Sequence, residues 1–210
     1  MDDVVQGTDA WLSLRCGRVT ASRVADVVAK TKSGYSASRA AYMGELIAER
    51  LTGVPAGGYM NAAMQWGVDM EPHARAAYAA QTFDDVKQIG FVHHPRIDMA
   101  GCSPDALVGI DGLAEFKCPA THTHIDTLLT QKVPDKYIVQ IQWQLSCCER
   151  AWADYVSFDP RLSEEMRLFV KRVERDDERI EELEREVTAF LAELDEKVSK
   201  LTELYRKDAE

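Results

Sequence analysis

Two short stretches, Ser103-Pro104-Asp105-Ala106-Leu107-Val108-Gly109 and Ala114-Glu115-Phe116-Lys117-Cys118-Pro119, set two carboxylates and a lysine around one hairpin. Glu115 and Lys117 stand two apart. On an extended strand over 113 to 117 they leave the same face, while Phe116 turns to the other, into a core. Asp111-Gly112 is a two-residue hairpin signal that folds the apolar run 106 to 110 back onto that strand. Perfect register about the turn pairs 106 with 117 and puts Asp105 on the wrong face. The reading therefore requires Asp105 just outside the ladder or a bulge within it, and Pro104 and Gly109 allow either.

Neighbouring carboxylates repel unless a divalent cation sits between them, and Mg2+ favours such oxygen ligands while keeping some of its water. With two ions, the attacking and the leaving oxygen of a phosphodiester are both stabilised, and Mn2+ can substitute for Mg2+. Lys117 then stands beside the attacking water as a positioner or general base, its ammonium open to pKa depression by the cations. The same residues also fit a plain surface hairpin with an Asp and a Glu-x-Lys pair.

The elements that must position this cluster follow from periodicity and punctuation. Helices are expected near 8 to 15 with Thr8 as cap, near 20 to 30 with Thr20 as cap, and from 37 to 52, ending at Gly53. The Ala- and Met-rich segment 60 to 81 carries Glu71, with Pro72 starting or bending its second half. Strands are expected near 86 to 94, 97 to 102, 106 to 110, 113 to 117, 152 to 158 and 166 to 173, with a helix from 136 to 149. Gln140 and Gln142 fall on that helix with Tyr137, Ile141 and Leu145, where a polar pair reads as the wet face. From 176 to 206, Ile180, Leu183, Val187, Phe190, Leu194, Val198, Leu201 and Leu204 recur at three and four. This is a long amphipathic helix, either a seam between subunits or packed along its own domain. The fold class is α/β (α+β), a central mixed sheet flanked by helices, in one domain of 210 residues: a core over 1 to 175 and the acidic C-terminal helix.

A net charge of -10 is unfavourable for an enzyme acting on nucleic acid, but it is concentrated. Residues 173 to 210 hold fourteen acidic against seven basic side chains, which leaves twenty-one against eighteen in the rest. A near-neutral body can still focus positive potential into a cleft. Arg15, Arg18, Arg23, Lys30, Lys32 and Arg39 form the richest basic segment, read as solvated surface except for Arg15. No apolar run is long enough to span a bilayer and no signal peptide is expected, so the reading is a cytoplasmic protein. Five cysteines without Cys-x-x-Cys spacing read as free thiols. Cys16, Cys102 and Cys118 are read as packing residues. Vicinal Cys147-Cys148 could bind a soft metal, but packing on a helix face is the simpler reading. The cysteine pattern also lacks the dedicated set of an iron-sulfur nuclease. His93-His94 and His122-x-His124 lack a thiol or second histidine pair at structural-zinc spacing and are read as exposed, on a strand end and a polar turn. His73 is placed near the carboxylates, as a possible DNA contact.

Trp11-x-x-Leu14-Arg15-x-Gly17-x-Val19-Thr20-Ala21-Ser22, Trp66-Gly67 with Glu71, Cys102-Ser103-Pro104-Asp105, Glu115-x-Lys117-Cys118-Pro119, Gln140-x-Gln142 and Asp159-Pro160-Arg161 occur in one order over residues 8 to 175. This ordered set resembles the phage lambda exonuclease family of viral recombination nucleases, within the PD-(D/E)XK superfamily with its restriction-endonuclease-like core. The resemblance implies a Mg2+-dependent exonuclease that degrades one strand of linear double-stranded DNA from 5' to 3', releasing mononucleotides and leaving a 3' overhang. It implies that Asp105, Glu115 and the Phe116 backbone carbonyl hold metal, that Glu71 joins them, and that Lys117 acts on water. Arg15, Ser22, Ser103 and Gln140 would hold the terminal 5'-phosphate, and Met64 would wedge between the strands. Lambda exonuclease has leucine in Met64's place and a lysine where Ala62 stands, so strand separation here is expected to differ. The resemblance further implies a homotrimer ring, and as partner a single-strand annealing recombinase. A restriction or repair endonuclease on the same core, or a non-catalytic DNA-end-binding assembly protein, remain alternatives.

Overall fold

In a computed structural model the described residues are 4–57 and 61–205. Residues 60 and 206, ends of two expected helices, lie outside them. In chain order the elements are α1 (Asp9–Arg15), β1 (Val19–Thr20), α2 (Ala21–Val28), β2 (Lys30–Thr31), β3 (Gly34–Tyr35), α3 (Ala37–Thr52) and α4 (Ala62–Thr82). Then come β4 (Val86–Lys87), β5 (Val92–His93), β6 (Ala100–Cys102), β7 (Ala106–Val108) and β8 (Gly112–Lys117). The chain continues as α5 (Thr121–Thr130), α6 (Asp135–Cys148), β9 (Trp152–Phe158), β10 (Leu168–Glu174) and α7 (Asp177–Tyr205). The expected α/β class with a central mixed sheet is borne out: one sheet runs β10-β9-β8-β7-β4, and a smaller one runs β1-β6-β5.

The main sheet is antiparallel except where β8 and β9 run parallel, a pairing that needs a crossover, here α5 and α6. Its two faces bury different side chains. Ala114 and Phe116 pack with Ala74 and Tyr78 of α4, and Leu113 packs with Ile141 and Leu145 of α6. Phe116 meets Tyr78 edge-on at 5.7 Å, so the expected inward turn of Phe116 holds. The third core joins α2, α3, α6 and α7 around β1, β5 and β6. It takes in Leu183, Val187, Phe190, Leu191 and Leu194 of α7, while Ile180 at the start of that helix packs with Ile141 and Leu145, so α7 lies along its own chain.

Several expectations are corrected. The single strand expected over 86 to 94 is two short strands that join different sheets. Thr8 caps α1 by accepting from the Trp11 amide at 3.3 Å, but Thr20 makes no cap bond to α2; its hydroxyl accepts from Arg15 instead, at 3.5 Å. The segment read as a polar turn at His122 is the helix α5. It buries His124 and Thr127, polar types that leave no apolar stripe to recognise. His124 is fully buried, with Nδ1 at 2.7 Å from Ser157 Oγ and Nε2 at 2.8 Å from the Met166 carbonyl. His94 is buried too: its Nδ1 accepts from the Arg96 and Ile97 amides and its Nε2 faces Ser146. Both histidines are structural. Half of the basic segment is paired: Arg23 with Asp26 and Glu45, Lys30 with Glu186, and Arg39 with Glu193. The last two tie the acidic α7 to the body.

One ion pair connects three elements around the mouth of the site. Asp159, after β9, is fully buried and takes two bonds from the Arg161 guanidinium, at 2.7 and 2.9 Å. That guanidinium also donates to the Pro119 carbonyl at 3.3 Å and lies 4.5 Å from the centre of the Trp66 ring on α4. Burial pushes the Asp159 carboxyl up, but hydrogen bonds from Arg161 and Thr121 outweigh it and bring it down to about 2. A carboxyl held below its unfolded value stabilises the fold above that value and loses the contribution as the pH falls. Asp159→Asn is expected to cost on the order of 1–2 kcal/mol at neutral pH, a fall of several degrees in Tm. In thermal melts the gap from wild type should be full above about pH 4 and close as the pH falls towards about 2.

Candidate active site

The hairpin that carries the carboxylates is not the two-residue turn expected at Asp111-Gly112. Gly112 belongs to β8 and pairs with Val108, so the connection is Gly109-Ile110-Asp111, with Gly109 in the left-handed region at φ 51°. Glycine meets that backbone without a Cβ penalty. The register becomes Ala106 opposite Ala114, which places Asp105 beyond the end of the ladder, across from Glu115 and on its face. The difficulty in the sequence reading is thus resolved by three residues in the turn. Asp105 Oδ2 accepts from the Phe116 amide at 2.7 Å, which fixes it beside β8.

Glu115 is 1% exposed, in the central strand of the sheet. Its Oε1 accepts from Lys117 Nζ and, at 2.5 Å, from Gln140 Nε2; its Oε2 accepts from Gln144 Nε2 at 2.6 Å. Gln140 and Gln144 stand four apart on α6 and so share a face. Gln142, the other expected glutamine, points elsewhere and is not on a wet face. It is buried, donates to the Glu174 carbonyl and accepts from the Asp176 amide, holding the entry to α7. Gln144 was missed in the sequence. Its spacing from Gln140 was a signal, but the apolar neighbours of both residues masked it.

A cavity of about 730 Å³ opens over these groups, lined by Glu71, Asp105, Phe116, Lys117, Gln140, Ser22 and Met64, with Val68, Lys136 and Tyr137. Burial raises the Asp105 carboxyl well above the usual range, and the charges of Glu115 and Glu71 add to it, against Lys117. Glu71, bonded to Arg75 at 3.3 Å, is raised by burial, which Arg75 opposes and Glu115 reinforces. Burial alone would depress the Lys117 ammonium, but Glu115 and Asp105 override it and hold the group protonated. With only carboxylates around it, its pKa moves opposite to the depression expected beside cations.

Three carboxylates against one ammonium, with oxygen donors throughout, suit a hard divalent cation. Among the described residues no three His, Cys, Asp or Glu side chains converge tightly enough to ligate one ion as they stand, and Lys117 occupies the Glu115 oxygen nearest the cavity. His73 is exposed and does not line the cavity.

Arg15 ends α1 beside Gly17, whose left-handed turn is clamped by Glu49 on its amide at 2.6 Å and by Arg50 on its carbonyl at 2.9 Å. The Arg15 guanidinium reaches Ser103 Oγ at 3.3 Å and lies 4.2 Å from the centre of the Trp11 ring, whose Nε1 donates to the same hydroxyl. Its hydrogen-bond partners are hydroxyls, and among the described residues no carboxylate pairs with it. Arg15 and Ser103 thus come together, but they adjoin the cavity lined by Ser22 and Gln140 rather than line it. Met64 is about half exposed at the mouth, one turn from exposed Val68.

Cys102 and Cys147 are buried, whereas Cys118 lines the cavity. No helix among the described residues is long and apolar enough to cross a membrane.

Known proteins give a consistent picture. A family profile described as a YqaJ-like viral recombinase domain matches residues 10–151. LHK-Exo, an alkaline exonuclease from Laribacter hongkongensis, is 50% identical over 96% of this chain and 100% of that one; its structure with dAMP superposes with a TM-score of 0.90, and a second with 0.89. A phage related exonuclease from Haemophilus somnus 129PT shares the fold, at 15% identity over 88% of this chain and 96% of that one, with a TM-score of 0.71. No curated protein sequence matches. The resemblance carried by the ordered motifs is borne out, and the chain belongs to the YqaJ-like viral recombinase family.

Proposed function

We propose that this protein is a Mg2+-dependent exonuclease that degrades one strand of linear double-stranded DNA from 5' to 3', releasing mononucleotides and leaving a 3' overhang for recombination by strand annealing. The observation that carries the reading is that Asp105, Glu71 and Lys117 line one cavity, with buried Glu115 bonded to Lys117 beside them, in a chain half identical to an alkaline exonuclease. The dAMP of the relative's structure is a nucleoside monophosphate, the class of product the reading requires.

Asp105, Glu115, Glu71 and the Phe116 carbonyl would hold Mg2+, with Mn2+ as a substitute. A pair of bound ions there would stabilise charge on the attacking and leaving oxygens. Lys117 holds the water in line and, by its charge, stabilises the developing anion. Gln140 touches both Glu115 and the cavity, so it can align the phosphate with the carboxylates. Arg15, with no carboxylate partner among the described residues, offers its guanidinium fork to the terminal 5'-phosphate, with Ser103 and Ser22 supplying hydroxyls. Met64 and Val68 give the mouth an apolar edge against which a terminal base pair can fray.

The homotrimer ring and the annealing recombinase partner are part of the same proposal, supported by the resemblance to the lambda exonuclease family. A ring around the duplex converts dissociation into sliding towards the end, and each cleavage leaves a new 5'-phosphate for Arg15 to capture.

Release of acid-soluble nucleotide with Mg2+ tests the reading. Loss is expected from 5'-phosphorylated linear duplex, slower loss from 5'-hydroxyl ends, and none from a closed circle. Cutting of the circle would favour an endonuclease, and end binding without release would favour an assembly protein. Lys117→Ala should lower turnover by about 10²- to 10⁴-fold while duplex binding persists. Arg15→Ala should erase most of the preference for 5'-phosphate, an effect of about 10- to 100-fold, with little change on 5'-hydroxyl ends.

A further inference from the structure

Gln144 has a place in the site although it lies outside the cavity lining. It is 1% exposed, does not line the cavity, and cannot touch a substrate there. Its Nε2 is nevertheless the one described donor to Glu115 Oε2, at 2.6 Å, while Lys117 and Gln140 both go to Oε1. A glutamate carboxylate turns easily about its last torsion, which is broad and roughly two-fold. Donors on one oxygen leave that rotation open; a donor on each oxygen fixes the plane. An amide does this without neutralising the carboxylate, as a second ammonium would.

The other end of the same side chain carries an independent observation. Gln144 Oε1 is buried and meets no protein donor. A buried acceptor without a partner is destabilising, and an apolar side chain of the same volume, on a helix face between Ile141 and Leu145, would remove that penalty. A half-satisfied amide in the core is therefore a poor choice for stability and a sensible one for holding Glu115.

We infer that Gln144 is a positioning residue that locks the Glu115 carboxylate in the orientation needed for cation binding and hydrolysis. The inference rests on the nuclease reading above for its activity arm, and on the geometry alone for its binding arm. It predicts a loss of function out of proportion to any change in stability.

Gln144→Met in the full chain provides the test, measured against wild type in thermal melts, in calorimetric titration with Mg2+ without DNA, and in nucleotide release from 5'-phosphorylated linear duplex. Expected are a Tm within a few degrees of wild type, because relief of the buried Gln144 Oε1 offsets part of the lost donor to Glu115 Oε2, Mg2+ affinity and kcat each reduced by about 10- to 100-fold, and KM for DNA ends within about 3-fold. Wild-type affinity and kcat in the variant would overturn the inference, as would losses that simply follow a fall in Tm. Should Gln144→Met not fold, Gln144→Asn, which keeps the amide but withdraws it by one methylene, carries the same expectations for affinity and kcat. If wild type releases no nucleotide, the exonuclease reading fails, while the Mg2+ titration still decides the role of Gln144.

Discussion

The structure is organised around a carboxylate that water barely reaches. Glu115 sits in the central strand of the main sheet, where an unpaired charge would cost several kcal/mol. It is tolerable only because Lys117, Gln140 and Gln144 surround it. Two of those donors belong to α6, so that helix must lie across this face of the sheet with the glutamine side inward. Having α6 there, between β8 and β9, makes their pairing parallel. The local need of one carboxylate and the topology of the sheet are thus the same constraint. Gln142, one step round the helix, joins the arrangement to α7 through the backbone at Glu174 and Asp176.

The charge distribution has a similar logic. The acidic α7 does not repel the rest of the molecule, because Lys30, Arg39, Arg50 and Arg96 each pair with one of its carboxylates. The long helix thereby takes up two of the six basic side chains, Lys30 and Arg39, of the richest basic segment. What escapes includes Arg15, held by hydroxyls and an indole, and Lys136 at the cavity, whose ammonium lies 4.6 Å from the Tyr137 ring, whereas Lys117 is paired with Glu115. A protein of net charge -10 can then present its unspent positive charge where low-dielectric walls concentrate it.

Much of this was legible from sequence because it depends on alternation and spacing. Glu115, Phe116 and Lys117 sort to opposite faces by the two-residue period of a strand, and the α7 seam follows from threes and fours. What escaped was decided by partners distant in sequence. The hairpin turn was misread, shifting the register by three residues, because Gly109 takes the left-handed conformation and the connection is Gly109-Ile110-Asp111 rather than Asp111-Gly112. The helix α5 buries a histidine and a threonine, so it gave no apolar period. The histidines read as exposed bond, in their buried positions, to Ser146, Ser157 and Met166, residues 33 to 52 positions away. Gln144 was invisible for a related reason: flanked by Trp143 and Leu145, it occupies a core position, and only Glu115 opposite explains an amide there.

The helix α4 shows how such a site can be both anchored and open. Met64, Val68, Glu71 and Arg75 recur at four, three and four, so they form one stripe along the helix. The stripe begins with exposed apolar side chains at the mouth and reaches the half-buried carboxylate seven residues on, about 10 Å along the axis. The helix is pinned at its start, where Arg161 covers Trp66, and in its second half, where Tyr78 packs on Phe116 and donates to Asp154. Between those anchors it can keep Glu71 near like charges without yielding. About 10 Å is roughly three nucleotide steps along a strand. On the proposed reading, a strand that meets the carboxylates must have travelled that distance past an apolar edge, which a paired end can do only by separating from its complement. The apolar mouth and the anionic floor therefore belong to one mechanism, set by their spacing on a single helix.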